Sequence, residues 1–159
     1  MILLVCILMG GCVQKKIIDE IIIVEGMGFD YDEHKDEIIG TIQIPTFVKE
    51  ESVENEVHTA TSKTKKGILQ EIQKKVSGPV SMGSLEILLF SEKLAKEKGI
   101  LELMDPFQRD PTVGSSFQVA IVQGDPRKML EGNYGVRGNS YHISRLLEND
   151  IEIGNLPRS

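Results

Sequence analysis

The sequence predicts an α+β fold: a mixed β-sheet with helices packed on it, in a single domain. Three observations carry that expectation. Three strand-like segments come in a run before the first helical pattern, and later apolar strands mix with amphipathic helices. Hydrophobic residues make up 40% and charged residues 26% of the chain, the balance of a globular protein long enough to bury a core. No internal repeat, low-complexity tract or interdomain linker interrupts it.

The elements follow in order. Glu20-Ile21-Ile22-Ile23-Val24-Glu25 is β-branched and predicts a strand, which Gly26-Met27-Gly28 should break. Asp30 to Asp36 is a solvated turn. Glu37 to Phe47 alternates, with Ile39, Thr41 and Gln43 on one face and Ile38, Ile42 and Ile44 towards the other, so a second strand pairs with the first as a bulged hairpin. Pro45 should end that strand at an edge or bulge. Val53 to Thr61 alternates as a third strand. Thr64 caps a helix to about Val76 with Ile68, Leu69, Ile72 and Val76 on one stripe, and Ser77-Gly78-Pro79 ends it.

Leu85 to Phe90 is a short apolar run that predicts a buried central strand. Ser91 then caps a helix that faces Leu94 and Ala95 inward and stops at Gly99. Ile100 to Met104 is a further helical piece closed by Asp105-Pro106, and Phe117 to Val122 is another strand. Asp125-Pro126 opens a helix with Asp as cap, Pro at the first position, and Met129 and Leu130 as apolar contacts. After a loop over Gly132 to Gly138, Ser140 to Leu147 is helical with Ile143, Leu146 and Leu147 inward. Ile151-Glu152-Ile153 could start one more strand. The order is β-β-β-α-β-α-α-β-α-α.

Charge and cysteine usage narrow the function classes. A formal net charge of -6 disfavours nucleic acid as a partner and leaves no polybasic surface to hold a membrane. The chemistry concentrates instead at the N-terminus. Met1 to Met9 is an unbroken apolar run, and Gly10-Gly11-Cys12 follows before the chain turns polar at Gln14-Lys15-Lys16. An apolar core of that length ending in small residues has the form of an export signal, and it is shorter than the roughly 20 residues needed to span a bilayer. A cysteine behind two glycines fits a lipobox, with Met9 where Leu is usual. We therefore expect residues 1–11 to be a lipoprotein signal peptide, Cys12 to be the lipidated first residue of the mature chain, residues 12–19 a tether and residues 20–159 the folded domain. A diacylglyceryl group provides two acyl chains, enough for stable attachment where one is marginal. The bland alternative is an N-terminal strand with a structural cysteine. With Cys6 in the leader, the mature chain keeps one cysteine, so an internal disulfide and thiolate zinc sites are not expected.

Other constellations read as structural. Gly26-Met27-Gly28-Phe29-Asp30 lacks the third glycine and following helix of a dinucleotide loop. Asp30, Asp32, Glu33 and Asp36 imitate a calcium loop, but Lys35 stands at the glycine position and Thr41 where the closing Glu belongs. His34, His58 and His142 share no ligand spacing, and no Gly-x-Ser-x-Gly elbow occurs. Arg109, between two Asp-Pro steps, is expected to hold a helix-to-strand corner, the alternative being a ligand or partner contact. No catalytic, cofactor or metal residues are assigned.

Four stretches taken together resemble the lipoprotein C subunit of the nutrient germinant receptors of spore-forming Bacillales and Clostridia. They are the lipobox with Cys12; Ile22 to Asp30 with Ile42-Gln43-Ile44-Pro45; Leu85 to Gly99; and Phe107-Gln108-Arg109-Asp110-Pro111 followed by Val119 to Gly124 and Lys128-Met129-Leu130. The resemblance implies that residues 20–159 are the N-terminal domain of that family, whose members are longer and have three domains. It implies a non-enzymatic, lipid-anchored subunit on the outer face of the spore inner membrane, working with membrane-embedded A and B subunits and held to membrane lipid through Cys12. Two other classes remain open: an extracytoplasmic solute-binding lipoprotein, and a small exported hydrolase, for which no acid, base and nucleophile set stands out.

Overall fold

Alternation in one long hairpin organises the molecule. The computed structural model describes residues 21–49, 52–114 and 116–155. In chain order the elements are β1 (Ile22–Ile23), β2 (Gly26–Asp32), β3 (Glu37–Lys49), β4 (Ser52–Ser62), α1 (Lys65–Gln73), β5 (Val80–Ser81), β6 (Ile87–Ser91), α2 (Glu92–Glu97), α3 (Leu101–Arg109), β7 (Gln118–Val122), α4 (Pro126–Glu131) and α5 (Asn139–Glu152). The main sheet has the order β4-β3-β2-β6-β7, and β1 pairs with β5 in a separate parallel ribbon. β2, β3 and β4 are antiparallel, while β6 runs parallel to β2 and β7 parallel to β6. The sheet is therefore mixed and the fold is α+β, as the sequence predicts.

Each face of the sheet is covered by helices. On one face Met27, Phe29, Ile42, Leu88 and Phe90 meet Ile68 and Ile72 of α1, Leu94 of α2, and Leu103 and Phe107 of α3. Phe29 stacks on Phe90 with centroids 5.5 Å apart, and Phe107 meets Phe29 edge-on at 6.1 Å. On the other face a smaller cluster of Ile87, Leu89, Leu130 and Ile143 carries α4 and α5.

Local chemistry explains the well-placed ends. Thr64 Oγ1 accepts from Gly67 N (3.1 Å), Ser91 Oγ from Leu94 N (3.1 Å) and Asp125 Oδ1 from Arg127 N (2.9 Å), each closing a free N–H of a first turn. Gly99 takes φ 75°, the left-handed stop after α2.

Several expectations are corrected. Of the segment Glu20 to Glu25, the strand pairing among described residues covers only Ile22 and Ile23. Gly26-Met27-Gly28 does not break a strand; it starts β2, which pairs with β3 in unbroken register from Gly26↔Gln43 to Asp32↔Glu37. The bulge lies instead between Phe47 and Lys49, where β3 meets β4. β3 also runs through Pro45, because the β2 pairing ends at Gln43 and the missing N–H breaks no bond to that neighbour. α3 continues through Pro106 to Arg109, because Phe107 is anchored in the core. Leu146 faces outward (52% exposed), and Ile151-Glu152 form the last turn of α5 and not a strand.

Candidate functional site

The glycines of β2 create an unusual surface. Gly26, Gly28 and Asp30 share the face under α4 and α5. A Cβ on Gly26 would fall onto Ser140 Oγ and lie 2.9 Å from Leu130 Cδ2; one on Gly28 would lie 2.9 Å from Pro126 Cβ. The helices thus sit directly on the strand backbone. The same requirement explains why glycine alternates here although it weakens strands.

Polar side chains fill the space beside that platform. Ser140 Oγ donates to Gln43 Oε1. Gln43 Nε2 donates to Asn55 Oδ1 (2.8 Å), which also accepts from Asn139 N (3.3 Å). Gly138, the residue before α5, has no side chain to cap the helix, so Asn55 of β4 supplies the cap from across the sheet. Asn139 Nδ2 donates to Leu130 O (2.7 Å) and to Gly132 O, while its Oδ1 accepts from Tyr134 N (2.8 Å). One buried amide therefore ties the end of α4 to the start of α5.

Glu25 stands at the border of this network. Its Oε2 is buried without a hydrogen-bond partner among the described residues, near Gly138. Burial raises its pKa to about 6; Glu86 adds to the rise and Arg137 opposes it. A cavity of about 490 Å³ opens alongside, lined by Val53, Asn55, Glu131, Gly132, Gly135 and Val136 among others. Ser140 gives its hydrogen to an amide oxygen, which cannot act as a base, so the cluster holds geometry and does not arm a nucleophile.

Cys12 lies outside the described residues, as do the leader and residues 12–19. The histidines stay apart: His34 is exposed at the β2–β3 turn, His58 bonds Glu56 Oε1 (2.7 Å) on β4, and His142 stacks on Tyr134. Among the described residues no three metal-ligating side chains gather. Asp32 Oδ1 accepts from His34 N (3.0 Å), so the acidic segment closes a hairpin tip, but the turn is shorter than expected: Asp30 to Asp32 belong to β2, and Tyr31 is buried. Arg109 Nε donates to Asp105 Oδ1 (2.8 Å) on the surface of α3. Asp110 Oδ1 accepts from Thr112 N (2.9 Å) and Thr112 Oγ1 (2.6 Å), which makes the corner and holds the Asp110 carboxyl below its usual range. The sequence singled out neither Glu25 nor the Asn55–Asn139 cap. The legible signal was a helix start, Gly138-Asn139-Ser140, with a glycine at its cap.

Fold and site define a small α+β domain whose mixed sheet carries helices on both faces, one of them seated on glycine. A family model described as the spore germination protein N-terminal domain matches residues 14–159. The chain belongs to that family. It is 29% identical over 158 residues to the spore germination protein GerQC of Bacillus cereus, a match covering 99% of this chain and 44% of that protein. The chain thus spans less than half the length of this curated relative. No solved structure matches it.

Proposed function

We propose that this chain acts as a lipid-anchored, non-enzymatic part of a nutrient germinant receptor. It would be held through Cys12 to the outer face of the spore inner membrane beside the membrane-embedded A and B subunits. The observation that carries this reading is where the family match begins. Residue 14 lies two positions after Cys12, so the apolar leader and the lipobox fall outside the domain, where a cleaved signal and anchor belong. No helix among the described residues is long and apolar enough to cross a membrane, which is consistent with attachment through lipid. Family membership in germination supports the receptor role, and the polar platform under α4 and α5 is built to hold shape.

The test is Cys12→Ala in the native gene. Membrane fractionation should fall to background and nutrient-triggered germination should drop sharply, while release by a non-nutrient trigger stays normal. A variant that stays membrane-bound and germinates on nutrients as the parent does would sink the reading.

A further inference from the structure

The two edges of the main sheet are built differently. β4 carries Glu54, Glu56 and His58 and lies against α1 and α4. β7 reads Gln118-Val119-Ala120-Ile121-Val122, with no charge, no proline and no shift in its register with β6. Charges, prolines and bulges are what keep a sheet edge from pairing with another chain. Among the described residues β7 has no second neighbour.

Free backbone groups and exposed side chains coincide on β7. Gln118 N donates to Glu86 O (2.9 Å), so Gln118, Ala120 and Val122 turn their backbone groups to β6, and Val119 and Ile121 turn theirs outward. Val119 and Ile121 are also the exposed apolar residues of the strand, at 39% and 56%. They stand in line with Leu88 and Phe90, so the larger core face runs out uncovered at this edge. The helix layer on the other face does the same. α5 lies on β6 and β7, and its Ser140 and Ser144 side is turned to Gln43 and the middle of the sheet. Leu146 and Ile153, roughly two turns apart, are exposed on the opposite flank, towards the β7 edge.

We propose that this edge is the interface with a second copy of the chain, β7 pairing antiparallel about a two-fold axis at Ala120. Val119 then exchanges both backbone hydrogen bonds with the partner's Ile121, and Ala120, the smallest side chain of the strand, takes the position of closest approach. Charge favours a copy as the occupant. Arg137 and Arg145 mark the first part of α5 and Glu148, Asp150 and Glu152 its end, the reverse of what the helix dipole favours. The same two-fold sets two α5 helices antiparallel on one face, acidic half beside basic half. Strands of five residues alone fall short of the roughly 800 Å² per partner of a standard interface, and the α5 flank adds a second layer to them. The assignment does not depend on the Cys12 anchor.

The test is sedimentation equilibrium of the full chain in excess mild detergent over a range of concentrations, with amide hydrogen exchange at both ends of the range. Wild type should be dimeric at the upper end. The Val119 and Ile121 amides should be protected there and exchange on dilution, while those of Gln118, Ala120 and Val122 stay as they are. Ile121→Lys and Leu146→Lys should each weaken the dimer at least about tenfold. Val136→Lys, beside β4 at the opposite edge, should leave it unchanged. Both target side chains are exposed, and an unchanged thermal transition of the dilute variants separates loss of the interface from loss of the fold. A chain that stays monomeric throughout overturns the proposal and leaves the edge to a strand of another polypeptide. A dimer that survives both variants, or that leaves the Val119 and Ile121 amides unprotected, overturns it as well.

Discussion

The two faces of the sheet hold their helices by different means. Under α1, α2 and α3 the strands offer Met27, Phe29, Ile42, Leu88 and Phe90, and the helices answer with Ile68, Ile72, Leu94 and Phe107. Under α4 and α5 the smaller apolar cluster of Ile87, Leu89, Leu130 and Ile143 sits beside Gly26 and Gly28, where the helices meet bare strand backbone, and Gln43 accepts a hydrogen bond from Ser140. The first face gains from every apolar atom it contains. The second is close to backbone contact, so it penalises added atoms and depends on polar groups being satisfied.

The largest test of this contrast is Phe90→Ala, which removes the ring stacked on Phe29. It should cost about 4 kcal/mol in urea unfolding. Gly28→Val is the most discriminating change. Strand propensity alone says valine should help, whereas a side chain there meets Pro126 and Leu130, and a loss of about 3 kcal/mol is expected. A stabilised valine variant would break the comparison. Asn139→Ala leaves Leu130 O, Gly132 O and Tyr134 N without their partner and should cost about 2 kcal/mol, with amide exchange near Tyr134 speeding up.

Glu25 gives the smallest effect and the only one with a pH signature. Its folded pKa, about 6, lies above the ordinary 4.5, so the folded state binds the proton more tightly than the unfolded chain. Its contribution to stability is full below about 4.5 and is lost as pH rises through about 6. Glu25→Gln should therefore raise stability by about 1 kcal/mol at pH 8, allowing for solvent screening of a half-buried group, and change little at pH 4. An equal gain at both pH values would show that charge burial is not the cause.

The contrast also explains what the sequence could disclose. The apolar face was legible because its signals are local: alternation through Ile38, Ile42 and Ile44, the stripe of Ile68 and Ile72, and the caps Thr64 and Ser91. The polar and glycine contacts of the other face were not, although its apolar members Leu130 and Ile143 were. Gly26 and Gly28 look like strand breakers until α4 and α5, about a hundred residues later in the chain, are placed above them. Gln43 and Ser140 meet across 97 positions, and Asn55 and Asn139 across 84, separations at which no periodicity operates. Pro106 misled for a related reason: the rule that proline ends a helix is local, while Phe107 is held by the distant Phe29. Of the site residues expected from sequence, Cys12 was read from motif chemistry, and it lies outside the described residues.

We propose that this helix-clad sheet is tied to a membrane by a modified thiol. Intact-mass and N-terminal peptide mass spectrometry of the protein isolated from its native membrane tests that most directly. The expected product begins at Cys12, lacks residues 1–11 and carries the mass of a diacylglyceryl group. A native chain that retains Met1 with an unmodified Cys12 would contradict the claim.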